Sequence, residues 1–291
     1  FGWTISYEAT NRKSLVKIFL KSPPTAIIGH YSAFIYINGK MRQSTKFLLL
    51  FNPWNKNDIV YMDDERKRWE YVNNTHTIIY MGSHTHVRPR GWYLGQFQSY
   101  SIEAALIILD RMPAEDRSSP IRVSRFFSAM VNANDDNGVL SGNWSGNYAN
   151  GTSPNAWNGS TNILAKYVKY RAPVRYGQCW VFCGVLCTVL RTCGIPTRCI
   201  TTYNSFHDHD GSLSWELYFN RFMRPVYFKR QETMWNYHCW NESWMDRKDL
   251  PPGYGGWQIV DSTPQERSQG SFKCGPAPQI AVKEGDVDLL F

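Results

Sequence analysis

Cys179 stands apart from the other six cysteines by where it falls: it opens an apolar run expected to be helical over residues 179–191, stopped by Gly194 and Pro196. A sulfur in the first turn of a helix lies beside unpaired backbone N–H groups and the positive end of the helix dipole, which favours thiolate over thiol. Cys179 is therefore the expected nucleophile. Cys183 and Cys187, one and two turns further on, are expected to pack as small buried residues. Three thiols on one stripe of one helix do not make a metal site. A nucleophilic thiol needs a base, and the base needs an orienting group. His238 lies in the strand-like run Trp235-Asn-Tyr-His238-Cys-Trp, and Asp261 ends the next expected strand in Gln258-Ile-Val-Asp261-Ser-Thr-Pro264. Neighbouring strands run about 4.8 Å apart, so a carboxylate on one can hold an imidazole on the other. Taken singly, a histidine on an apolar strand also suits the core, and an aspartate before Ser-Thr-Pro also suits a turn.

Two loops place oxygen-bearing side chains at every second residue. Asp208-His-Asp210-Gly-Ser212-Leu-Ser214 is one, and Asn132-Ala-Asn134-Asp-Asp136-Asn-Gly138 is the other. Hard cations take such ligands. Neither loop carries the distal Glu of an EF-hand, and solvated turns of this composition are common, so both readings stay open.

The elements that must position these groups divide in two. Strands are expected over 16–20, 31–37 and 45–51, with Asn38-Gly39 forming a tight hairpin turn between the last two. An immunoglobulin-style sandwich needs about seven strands, so residues 1–51 are expected to be its C-terminal part. Residues 52–90 read as a polar bridge. Helices are expected over 101–109, 121–131 and 164–170, then the Cys179 helix, then strands over 198–203, 213–219, 234–244 and 257–261. A helix followed by an antiparallel sheet is an α+β core, expected to occupy 52–291.

Composition narrows the classes. Hydrophobic residues are 43% and charged residues 19%, which excludes a disordered chain and a coiled coil. No apolar run reaches the ~18 residues of a membrane helix, so no transmembrane segment is expected. The net charge of +8 is spread along the chain without a zinc-finger or helix-turn-helix spacing, so no nucleic-acid partner is expected. An odd cysteine count confined to the second half is not a secreted disulfide framework. Reduced thiols and a cytoplasmic location are expected, and the Asn-x-Ser/Thr triplets read as chance matches. Phe1 is not expected to be a natural start.

Three blocks together resemble the catalytic segments of the animal transglutaminases, in family order: Arg175-Tyr-Gly-Gln-Cys179-Trp-Val-Phe, Trp235-Asn-Tyr-His238-Cys-Trp-Asn-Glu, and Asp261-Ser-Thr-Pro-Gln-Glu-Arg-Ser-Gln-Gly270. The likeness runs from about residue 51 to 285 and takes in Gly142-Asn-Trp144. It implies a papain-like core preceded by a partial β-sandwich, with Cys179 as nucleophile, His238 as base and Asp261 as orienting carboxylate. It implies a protein-glutamine gamma-glutamyltransferase that forms isopeptide crosslinks between glutamine donors and lysine or polyamine acceptors, with deamidation as side reaction. By the same resemblance Trp144 and Trp235 flank the substrate slot. Strict alternation sets Trp235 and His238 on opposite strand faces, so that role requires a bulge or a strand end.

Calcium activation is also implied, with Ala129 (through its carbonyl), Asn132, Asn134 and Asp136 matching one ion and Asp208, Asp210, Ser212, Ser214 and Glu232 a second. The family's two C-terminal β-barrels are not expected within residues 1–291. Nucleotide-inhibited members carry Lys-Phe where Thr85-His86 stands, so guanine-nucleotide control is not expected. Two rivals remain: a catalytically silent, transglutaminase-like scaffold, and a cysteine protease. Substrate identity and oligomeric state are not legible.

Overall fold

A computed structural model describes residues 2–11, 15–208, 214, 216–226 and 233–287. Two hairpins come first. Strands β1 (Thr4–Ala9) and β2 (Val16–Lys21) pair antiparallel, as do β3 (Gly29–Ile37) and β4 (Lys40–Leu49). Asn38 and Gly39 both take positive φ, 51° and 73°, as a primed two-residue turn demands. Trp3 closes on Tyr31 with ring centroids 5.0 Å apart and so ties the first hairpin to the second. The expected strand over 45–51 stops at Leu49. Phe51 is instead buried, its N–H donating to the Cys193 carbonyl at 3.1 Å.

The expected polar bridge over 52–90 is corrected by the structure. After a helical turn, α1 (Glu65–Arg68), and a π-turn, strands β5 (His76–Ser83) and β6 (His86–Tyr93) form a full hairpin. Its inner side is core: Ile79 and Trp92 are buried. Polar residues interleave with the apolar ones because its outer side faces solvent, and that interleaving hid it. Helices α2 (Ser99–Leu109), α3 (Pro120–Val131) and α4 (Thr161–Tyr170) follow, with a short parallel pair, β7 (Leu140–Gly142) and β8 (Val174–Gly177).

Helix α5 (Cys179–Thr192) is buried at every residue, as a helix apolar all round must be. Gly184 lets the Trp92 indole lie against it, since a Cβ there would overlap the ring. The Trp92 indole N–H donates to Ser160 Oγ at 2.9 Å, and that hydroxyl donates to the Gly184 carbonyl. Gly194 ends the helix at φ 84°, and Ile195 N–H reaches back to the Leu190 carbonyl, the left-handed stop expected from sequence.

The helix lies on a four-stranded antiparallel sheet. Strands β9 (Thr197–His207), β12 (Thr233–Met245), β13 (Gly256–Asp261) and β16 (Cys274–Pro278) run in the spatial order β16-β13-β12-β9. Between β9 and β12 only the two-residue strands β10 (Tyr218–Phe219) and β11 (Pro225–Val226) pair among the described residues. The expected strand over 213–219 is therefore a two-residue one where described, and Leu213 and Trp215 lie outside the described residues. Between β13 and β16 sits the small pair β14 (Arg267–Ser268) and β15 (Ser271–Phe272), and α6 (Gln279–Glu284) follows. Strand β16 was not legible because Pro276 and Pro278 argue against a strand. It is an edge strand, where proline is tolerated.

Candidate active site

Cys179 is the first residue of α5 and only 3% exposed. Gln178 caps the helix from an extended conformation, its carbonyl accepting from Val181 and Phe182 N–H. Its side-chain amide donates to the Asn143 carbonyl at 2.9 Å, which fixes the helix tip to the loop carrying Trp144.

Across from the thiol, β12 carries His238 and its neighbour β13 ends in Asp261. His238 Nε2 lies 2.6 Å from Asp261 Oδ2, the pairing expected across adjacent strands. The imidazole is also a hydrogen-bond neighbour of the Cys179 thiol. The structure thus brings together all three residues of the expected thiol–imidazole–carboxylate set.

Electrostatics refine the expectation drawn from the helix tip. Contact with the Cys239 thiol, then burial, pushes the Cys179 thiol well above its ordinary range, while His238 pulls it back down. The thiolate is thus offset by the imidazole cation rather than favoured by helix position alone. His238 goes the other way. Burial acts to lower it, but the charge and hydrogen bond of Asp261, together with Cys179, raise it from 6.5 to about 10.

Trp144 stacks on Phe182 of α5 with ring centroids 6.3 Å apart and planes 8° apart. Gly142 makes this possible, because a Cβ there would overlap the Trp144 ring. Trp235 lies 6.4 Å from Trp144 and perpendicular to His238 at 5.4 Å. Strict alternation does not lead one to expect that last contact. The β9–β12 register is the same on both sides of that point, Trp235↔Ser205 and Tyr237↔Tyr203, and Asn204 on the facing strand takes φ 51°. Trp144 remains 44% exposed, so the tryptophan pair forms the solvent side of the cluster.

Sequence reading missed several neighbours. Cys239, next to His238, should face away by alternation, yet it acts on Cys179. His207 pairs with Glu266 at 2.6 Å and meets the Trp235 ring edge-on. Gln265 reaches both ring nitrogens of His238. Both Gln265 and Glu266 lie in the third resemblance block, and that position was the available signal.

Of the expected oxygen ligands, four gather at the end of α3. Ala129 and Asn132 are buried, Asp136 is half-buried and Asn134 exposed. The Asn132 side chain accepts from Asn134 N–H at 3.1 Å and donates to the Phe272 carbonyl at 2.9 Å. Gly138 returns the chain against the Met130 and Asn132 carbonyls, where no Cβ would fit. An all-oxygen set at the negative pole of a helix suits a hard cation. Of the second set, Asp208 is half-buried and Ser214 exposed, whereas Asp210, Ser212 and Glu232 lie outside the described residues. Among the described residues no group of three or more His, Cys, Asp or Glu side chains is placed to hold a metal. None of their helices is long and apolar enough to cross a membrane.

Fold and site define a class: an α+β protein with a thiol at the tip of a buried helix, set against an imidazole–carboxylate pair on an antiparallel sheet. Similar proteins narrow the class. The family profile of the transglutaminase-like superfamily matches residues 147–262. Human protein-glutamine gamma-glutamyltransferase 5 is 48% identical over 99% of this chain and 42% of its own length. Human protein-glutamine gamma-glutamyltransferase E is 46% identical over 100% of this chain and 44% of its own. The human coagulation factor XIII A chain is 45% identical over 95% of this chain and 39% of its own. The crystal structure of red sea bream transglutaminase matches with a TM-score of 0.89 at 42% identity, over 99% of this chain and 46% of that one. The chain belongs to the transglutaminase family and spans less than half the length of these relatives.

Proposed function

We propose that the chain is a calcium-dependent protein-glutamine gamma-glutamyltransferase acting through a Cys179 thioester. The observation that supports this most directly is the 2.6 Å His238–Asp261 pair set against the Cys179 thiol. In this reading the Cys179 sulfur attacks the γ-carboxamide carbon of a protein glutamine, and the imidazolium of His238 gives its proton to the departing nitrogen. The C–N bond breaks, ammonia leaves and a thioester remains. A lysine or polyamine amine then attacks the thioester carbon, neutral His238 takes its proton, and the S–C bond breaks to release an isopeptide. Water in place of the amine gives deamidation. The Trp144 indole N–H and the Cys179 backbone N–H stabilise the oxyanion, where single donors in other enzymes contribute about 3 kcal/mol. Trp144 and Trp235 wall the route by which an alkyl amine arrives ahead of water.

Ca2+ would be held by the Ala129 carbonyl, Asn132, Asn134 and Asp136, and when bound it supplies positive charge that fixes the loop after α3. Asp208, Asp210, Ser212, Ser214 and Glu232 belong to the second site of the same proposal. The division of the chain at 51/52 belongs to it too, supported by two hairpins whose Ile5, Val16, Ile18 and Phe34 are exposed. A cytoplasmic location is proposed with it, supported by seven cysteines that are all unpaired.

The test is amine incorporation into a glutamine-bearing protein, with and without Ca2+, by the chain and by Cys179→Ala. Labelling that needs Ca2+ and vanishes in Cys179→Ala is expected. Labelling unchanged by Cys179→Ala would remove the assigned nucleophile. No labelling at any Ca2+ concentration would favour a silent scaffold, and cleavage without amine transfer a protease.

A further inference from the structure

Gln265 lies in the turn that leaves β13, half-buried. Its side-chain amide is 3.1 Å from Nδ1 and 2.9 Å from Nε2 of His238, so one end of the amide sits across the ring edge between the two nitrogens. The turn that delivers it is held at successive points. Thr263 N–H donates to Asp261 Oδ1 at 2.8 Å, and Gln265 N–H donates to the Thr263 carbonyl at 2.9 Å. Buried Ser262 donates to the Phe182 carbonyl of α5 at 3.4 Å. One short segment therefore brings both a carboxylate and an amide to the imidazole, and it is fastened to the helix that bears the thiol.

The two groups can do different things. A carboxylate only accepts, and Asp261 takes the proton on Nε2. The other nitrogen changes character during acyl transfer: Nδ1 is a bare acceptor in the neutral ring and an N–H donor in the imidazolium. An amide carries both complements, an NH2 that donates and a carbonyl oxygen that accepts, and half a turn about its last torsion exchanges them. Groups facing the ring among the described residues are Asp261 from β13, Cys179 from α5, and the Trp235 and Trp240 rings of its own strand. The His207–Glu266 pair lies beyond the Trp235 indole. Of these only the Cys179 sulfur can also serve Nδ1, as thiol donor or thiolate acceptor, and it ceases to do so once it is acylated.

We propose that Gln265 is a positioning residue for acyl transfer, an amide that stays hydrogen-bonded to the edge of His238 in both protonation states and keeps the ring aimed at the Cys179 sulfur. The inference deepens the crosslinking reading and rests on it. It acts through His238, without contact to substrate.

The experiment compares the full chain in Ca2+ with Gln265→Ala and Gln265→Glu. Three quantities are measured: kcat and KM for amine incorporation against pH, the rate of Cys179 alkylation by iodoacetamide against pH, and the unfolding temperature. Gln265→Ala is expected to lower kcat by roughly tenfold with KM for the glutamine substrate unchanged, a cost of misalignment rather than of binding. Gln265→Glu, which only accepts, favours the charged ring, so the limb of both profiles governed by His238 should move to higher pH. The alkylation profile needs no substrate and no acyl transfer. A parent chain that incorporates no amine would thus overturn the crosslinking reading alone, while Gln265 is still read from alkylation. Profiles of Gln265→Glu that superimpose on the parent's, or a Gln265→Ala variant that loses only thermal stability at unchanged kcat, would overturn the positioning role.

Discussion

His238 is held between opposing influences, and their balance makes the stability of the chain depend on pH. Its folded pKa of about 10 against an ordinary 6.5 means that the native state binds the proton more tightly than the unfolded chain does. The resulting stabilisation is complete below about pH 6.5 and is lost as the pH rises through about 10. Urea midpoints of the chain and of His238→Gln should therefore differ most at neutral and lower pH and converge towards pH 10; a constant gap would contradict the assignment. Cys239 supplies a second test at this scale. Its thiol is the largest influence raising Cys179, so Cys239→Ala should increase the thiolate fraction at a given pH. Cys179 alkylation by iodoacetamide should then accelerate near neutrality, and its pH profile should move to lower pH. The residue types and order of Cys179, His238 and Asp261 were legible in the sequence. Cys239 was not, because alternation along β12 describes which way a side chain points and not which helix residue it meets.

At the scale of elements, the site depends on how closely backbones approach. Gly142 leaves room for Trp144 to lie flat on Phe182, which sets the tryptophan beside Trp235 and His238. Gly142→Ala should push that ring outward and lower amine incorporation by roughly ten- to a hundredfold, as misplaced transition-state groups do. The unfolding temperature should change little, because the Trp144 ring is partly solvent-exposed. A variant that keeps full activity would show that the stacking is incidental. The sequence showed Gly142 and Trp144 only as part of a resemblance. The reason for the glycine is a contact with a ring two residues away, which no periodicity encodes. Likewise, regular alternation separated Trp235 from His238, and the structure sets their rings 5.4 Å apart with no shift of strand register.

Across the whole molecule, the loop after α3 and the Cys179–His238–Asp261 cluster stand on one frame. Helix α3 packs on β16, and Arg125 of α3 donates to the Gly275 carbonyl at 2.7 Å and to Ser268 Oγ at 2.8 Å. An ion that orders the end of α3 therefore acts on a helix joined to the segment that follows Asp261. Ca2+ should raise the unfolding temperature in proportion to its occupancy, and chelation should abolish amine incorporation. Asp136→Ala should need more Ca2+ for both effects. Equal Ca2+ responses in the two proteins would remove this loop as a binding site.

The sequence by itself determined the buried helix headed by Cys179, its glycine stop, the Asn38-Gly39 turn and the main strands of the sheet. These follow from local rules: apolar period, turn chemistry and the geometry of a helix tip. Tertiary structure alone decided the β5–β6 hairpin and the edge strand β16, whose polar and proline residues are acceptable only because one side of each meets solvent or no further strand. It also decided which groups surround His238. Packing of α5 on the sheet sets Cys239 beside the Cys179 thiol, the turn after β13 brings Gln265 to the His238 ring, and the Trp235 indole meets the same ring, and each of these is a relation between segments distant in the chain or out of its regular period.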